Sequence, residues 1–232
     1  MQVDLKLYEI LKNVSRINEG VTILSDNTIV TMLRAGGLGV EYKLSSEPLP
    51  SEISIANLAE FINIITISST SARIIDCEID FTKEYMIIKS IKGDEIRYHY
   101  SNALVIKDVD DEIIKWNNMI QFYENMTDSF KLSHEVLSNY KKVSNIMGLN
   151  LINFNLNYNN EITVKLYSDD GINKTVYTSK IEVTLNERFD ITLPIENFIT
   201  LNCDYDVEVG ERLITLINDE FGVIYYIAGM VE

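Results

Sequence analysis

The sequence predicts an α+β protein of two similar domains, each with antiparallel sheets on one side and two helices on the other. Three observations carry this. Two segments have the apolar spacing of amphipathic helices, each is followed by a train of short alternating strands, and the whole order of elements occurs twice.

In the first helix Leu7, Ile10, Leu11, Val14 and Ile17 recur at three and four residues, with Glu9, Lys12 and Arg16 opposite. Asp4 is placed as N-cap and Gly20 follows the end. The second helix begins after Ser133. Val136, Leu137, Tyr140, Val143, Ile146 and Met147 make its stripe, Ser138, Lys141, Lys142 and Asn145 lie on the other side, and Gly148 stops it.

The strand trains alternate, with Asn, Asp and Gly at the breaks. The first reads VTIL, the turn SDNT, IVTMLRA, a glycine loop and VEYKL. The second reads LINFNLNY, EITVKLY and NKTVYTSKIEV. Each train leads to a short strand and a short apolar helix, SEISI with ANLAEFINII, then FDITL with PIENFITL, where Pro194 suits a first helical turn. Three more strands follow each time: RIIDCEIDF, YMIIKSI and EIRYHY, then YDVEV, RLITLIND and GVIYYIA. The expected domains are residues 1–107 and 130–232, joined by an acidic connector at 108–129. There Ile113, Trp116, Ile120 and Tyr123 fall at near-helical spacing, and Trp116 is expected to plug a core or touch a partner.

The chain has 232 residues, 46% of them hydrophobic and 24% charged, an ordinary globular composition. No apolar run is long enough for a bilayer, and the start, MQVDLKLYEI, is not that of a secretory signal. Cys77 and Cys203 lack CxxC spacing, which fits a reduced intracellular protein. The net charge of −15 argues against nucleic-acid binding unless the basic residues share a face.

Nothing points to an enzyme or a cofactor. His99 and His134 do not form an HxxxH pair. Asp108, Asp110, Asp111 and Glu112 read as a solvated connector before a weak cation site. Gly36, Gly37 and Gly39 follow a strand without opening a helix, so they are not a phosphate loop. Asp76, Glu78 and Asp80 alternate along one strand and give a polar outer sheet face.

The order of elements resembles the sliding-clamp family. LKNVSRINEGVTILSDNTIV (Leu11 to Val30) looks like the opening helix and hairpin of T-even-type bacteriophage clamps. ISIANLAEFINIITI (Ile53 to Ile67) looks like their strand and second helix. YYIAGMVE (Tyr225 to Glu232) looks like the tail strand of proliferating cell nuclear antigen. The connector departs from the phage clamps in lacking their prolines. The resemblance implies the DNA clamp fold and a homotrimeric ring, with helices around the hole and sheets outside. It implies a DNA polymerase processivity factor with no enzymatic activity. Its partners would be duplex DNA held without sequence preference, a polymerase, a clamp loader and, by the phage likeness, late-transcription factors, in the cytoplasm of an infected host cell. The rivals are a non-ring clamp-fold processivity factor and a duplicated β-rich interaction protein.

A clamp must hold DNA without gripping it. Lys6, Lys12 and Arg16 outnumber Asp4 and Glu9, and Lys131, Lys141 and Lys142 outnumber Glu135. Glu60 and Glu196 fall on the short helices, so the large acidic excess lies elsewhere. The six basic residues are the candidate DNA-facing set, with plain surface solubility as the alternative. By position, Tyr226, Ala228 and Gly229 match the family's partner-peptide pocket, on a strand expected to offer a free edge. Leu38, Leu104 and Ile106 are further candidates, and ordinary core packing is the alternative for all.

Overall fold

The computed structural model describes residues 2–33, 37–44, 49, 51–71, 74–101, 129–157, 160–172, 174–185 and 188–230. The chain packs as two compact units. The first comprises Met1–Gly36, Val40–Ile114 and Glu220–Val223, and the second Gly37–Gly39, Lys115–Asp219 and Ile224–Glu232.

In the first unit, helix α1 (Leu5–Ile17) starts where the Asp4 carboxylate accepts from the Leu7 N–H at 2.8 Å. It buries Leu7, Tyr8, Ile10, Leu11, Val14 and Ile17, the predicted stripe plus a tyrosine. Strands β1 (Val21–Ile23), β2 (Thr28–Met32), β3 (Leu38–Lys43) and β4 (Ile53–Ile55) follow, in the spatial order β4-β1-β2-β3. Asn27, at φ 67°, makes the β1–β2 turn in the left-handed region that Asn tolerates. Helix α2 (Leu58–Ser68) is capped by Asn57 and packs on α1, where the hydroxyls of Tyr8 and Thr66 lie 3.0 Å apart. Strands β5 (Glu78–Phe81), β6 (Tyr85–Lys89) and β7 (Glu95–His99) make an antiparallel three-stranded sheet.

In the second unit, β8 (Phe130–Leu132) precedes helix α3 (His134–Met147), which Ser133 caps and Gly148 ends at φ 64°. Strands β9 (Leu151–Leu156), β10 (Glu161–Tyr167), β11 (Tyr177–Glu182) and β12 (Phe189–Pro194) form an antiparallel sheet in the order β11-β10-β9-β12. Strands β13 (Tyr205–Val209), β14 (Leu213–Asn218) and β15 (Val223–Ala228) run in the order β15-β14-β13-β8. Tyr205 and Tyr225 fill this core edge-to-face at 5.8 Å. The Tyr205 hydroxyl donates to the Leu201 carbonyl, and the Leu201 N–H donates to the Tyr225 hydroxyl. Burial among these rings pushes the Tyr205 phenol far above its ordinary value.

Three expectations change. The second short helix is a single 3₁₀ turn, Ile195–Asn197, so the described part of this unit holds one α-helix rather than two. Its segment is too short to sustain a helix alone. Lys131, grouped above with the charges of the second helix, lies on β8, because the chain is extended up to the Ser133 cap. Ile146 is 74% exposed, since nine helical residues after Leu137 place it half a turn away from the buried side. The connector residues 108–128, with Trp116, lie outside the described residues.

Candidate functional site

On α1 the buried stripe leaves Lys12 and Arg16, four residues apart, exposed on one face. Lys12 Nζ meets Glu9 Oε1 at 3.3 Å and sits 5.2 Å from the centre of the Tyr8 ring. Lys6 lies about a third of a turn from Lys12. Its ammonium donates to the Glu220 carbonyl and sits 5.6 Å from the Phe221 ring, which ties it within the first unit.

On α3 the burial of Leu137, Tyr140 and Ser144 leaves Glu135, Asn139, Lys142 and Asn145 exposed. Lys141 is half-buried and donates to Thr200 Oγ1 at 2.9 Å. Lys131 pairs across strands with Asp206 at 2.6 Å. Each unit thus contributes one helix with exposed basic side chains: Lys12 and Arg16 on α1, Lys142 on α3. Lys6, Lys131 and Lys141 are tied to neighbours that periodicity does not reveal.

Four of the predicted peptide residues, Leu38, Tyr226, Ala228 and Gly229, belong to the second unit. Leu38 is fully buried and Tyr226 buried, while Ala228 and Gly229 are half-exposed. The expected free edge is absent here. The Ala228 N–H donates to the Gly37 carbonyl at 2.9 Å, that of Gly229 to Arg212 at 2.7 Å and that of Met230 to Thr192 at 2.8 Å. With these donors used, no added strand can take them. At Gly229 a Cβ would lie 3.0 Å from Ile191 Cδ1, so glycine lets the tail pass close over that side chain. Leu104 and Ile106 lie outside the described residues.

Open edges occur elsewhere. Among the described residues nothing pairs with the outer side of β7 or of β11. Each is overlaid by a helix of its own unit. The rings of Phe61 on α2 and Tyr98 on β7 are 5.4 Å apart, and the hydroxyls of Tyr140 on α3 and Ser179 on β11 are 2.8 Å apart. Among the described residues no His, Cys, Asp and Glu cluster suits a metal, and no helix is long and apolar enough to cross a membrane.

The sequence matches no protein-family model and no curated protein. The fold does match solved structures. Against the PCNA2–PCNA3 complex from Sulfolobus tokodaii the TM-score is 0.70 at 11% identity, covering 100% of both chains. Against proliferating cellular nuclear antigen from Entamoeba histolytica it is 0.68 at 11% identity, covering 97% of this chain and 94% of that one. Against the Helicobacter pylori beta clamp bound to a DNA ligase peptide it is 0.65 at 11% identity, covering all of this chain and 65% of the longer one. The chain has the sliding-clamp fold.

Proposed function

We propose that this chain is one protomer of a DNA polymerase sliding clamp, a non-enzymatic ring that encircles duplex DNA and tethers the polymerase. The observation that carries the proposal is the match to a chain of the PCNA2–PCNA3 complex, which covers 100% of this chain and 100% of that one. A shared fold alone does not assign function, and the charge distribution supplies the physical support. Exposed Lys12, Arg16 and Lys142 sit on helices of a chain whose net charge is −15. Basic helices around the hole would neutralise phosphates weakly and without sequence preference, while the acidic remainder would repel DNA from outside.

A homotrimer closed through β7 of one copy and β11 of the next would cover both open edges, which otherwise invite uncontrolled association. A clamp loader and the polymerase tail are the expected protein partners, the tail docking beside half-exposed Ala228. The beta clamp solved with a DNA ligase peptide supports peptide capture as a use of this fold. The likeness of Leu11 to Val30 to T-even-type clamps favours a bacteriophage origin, with late-transcription factors as further partners in the host cytoplasm.

The test is retention on DNA. The purified chain, loaded by its cognate loader on nicked circular duplex, is expected to stay bound at high salt and to leave once the circle is cut. Equal loss from circular and linear DNA would reject a ring and favour a non-ring processivity factor. A monomer that neither loads nor stimulates its polymerase would favour a duplicated interaction protein.

A further inference from the structure

The two open edges restrict how two copies could meet edge to edge. The Tyr100 N–H donates to the Glu84 carbonyl at 3.3 Å, continuing a register in which Tyr98 faces Met86 and Ile96 faces Ile88. Hydrogen-bonded pairs alternate along an antiparallel ladder. Ile96, Tyr98 and Tyr100 therefore bond inward to β6, and the backbone groups of Glu95, Arg97 and His99 point to the open side. On β11 the Val183 N–H donates to the Asn160 carbonyl at 3.0 Å, so Ile181, Ser179 and Tyr177 bond inward. Thr178, Lys180 and Glu182 point outward. The same outward-pointing residues are the exposed ones in both strands, while Ile96, Tyr98, Tyr177, Ser179 and Ile181 are half-buried on the other face.

Antiparallel pairing of these two sets allows three registers around the strand centres. The first opposes Arg97 to Lys180 and Glu95 to Glu182, two like-charge contacts that destabilise a ladder. The second opposes Glu95 to Lys180, but Glu161 already holds Lys180 at 2.8 Å. It also sets Ile96 against Ser179, whose hydroxyl is engaged by Tyr140. The third opposes Arg97 to Glu182, which has no hydrogen bond or ion pair with a described residue, and leaves the Lys180–Glu161 pair intact beside His99. On the half-buried face it sets Tyr98 against Ile181 and Ile96 against Val183, apolar against apolar. Arg97 is already held over the Tyr85 ring, 4.5 Å from its centre, so its guanidinium is partly ordered for such a pair.

We infer that a second copy of this chain adds its β11 to β7 in the third register, with Arg97 opposite Glu182 and Tyr98 opposite Ile181. This rests on the ring reading above and specifies its contact.

The test is a charge exchange read by the concentration at which the full chain assembles in sedimentation equilibrium. Arg97→Glu and Glu182→Arg are each expected to raise that concentration by ~10-fold, because a cross-strand charge reversal acts at every interface of a ring. The double variant should return to near the wild-type value. The side chains lie at the exposed edges, and circular dichroism checks that each variant keeps its fold. Rescue by Glu95→Lys with Lys180→Glu, and not by the 97 and 182 exchange, would overturn the register while leaving the ring in place. Assembly unmoved by the single reversals would also overturn it. A wild-type chain that stays monomeric at all concentrations would remove both the register and the ring.

Discussion

The Tyr42 hydroxyl donates to Asn13 Oδ1 at 2.5 Å, joining strand β3 to helix α1 inside the first unit. Tyr42 is fully buried and Asn13 is 3% exposed. Asn13 lies between Lys12 and Arg16, so this bond helps set the rotation of α1 and with it the direction of both basic side chains. Removing a buried hydrogen-bond partner typically costs ~1–3 kcal/mol. Tyr42→Phe is expected to lower stability by about that amount in chemical denaturation, with an unchanged m-value. An unchanged midpoint would show that the bond contributes nothing net.

Lys12, Arg16 and Lys142 are expected to carry the DNA contact. Replacing all three with Glu should reduce loader-dependent processive synthesis and flatten the salt dependence of residual binding by ~1 in slope per lost phosphate contact. Assembly and the melting temperature should stay near wild type, since these side chains are exposed. Adding Lys141→Glu should lower stability, because it removes the bond to Thr200. Full processivity in the triple variant would show that these helices do not face DNA.

Ala228 tests the peptide site. Its backbone is engaged but its side chain is half-exposed, so Ala228→Trp should fold and obstruct an apolar anchor. Loss of a central anchor costs ~2 kcal/mol or more, roughly 30-fold in affinity. Titration with a polymerase C-terminal peptide measures the effect, with thermal melts alongside. Equal affinity would move the site elsewhere, and a collapsed melt would show that Ala228 acts as core.

The Asp26 carboxylate accepts from Lys43 Nζ at 2.8 Å and from the Thr28 hydroxyl and N–H at 2.9 and 3.1 Å. These bonds, Lys43 first, lower its pKa from 3.8 to about 2. A depressed folded-state pKa contributes stability that is fully present above the unfolded value and is lost as pH falls through the folded one. Melting temperature should therefore fall between pH 4 and pH 2 partly through Asp26. Asp26→Asn should flatten that part of the curve, modestly because the pair is exposed and screened by salt. Parallel curves for the two proteins would show that the carboxylate is equally free in both states.

The sequence by itself determined the local elements. Helix α1, from its Asp4 cap through its apolar stripe, and the alternating strands up to β15 follow from periodicity and capping chemistry within a few residues. The exposure of Lys12, Arg16 and Lys142 was legible for the same reason, because a helix with one buried face must present the other. Only the tertiary structure decided which polar groups were already occupied. Lys6 reaches a carbonyl 214 residues away, Lys131 reaches Asp206, and the Ala228 N–H is taken by Gly37. Such partners follow from how distant segments pack, which no local period encodes. The same holds for PIENFITL, where a short apolar stretch reads as a helix but tertiary packing buries Asn197 and Phe198 around a single 3₁₀ turn.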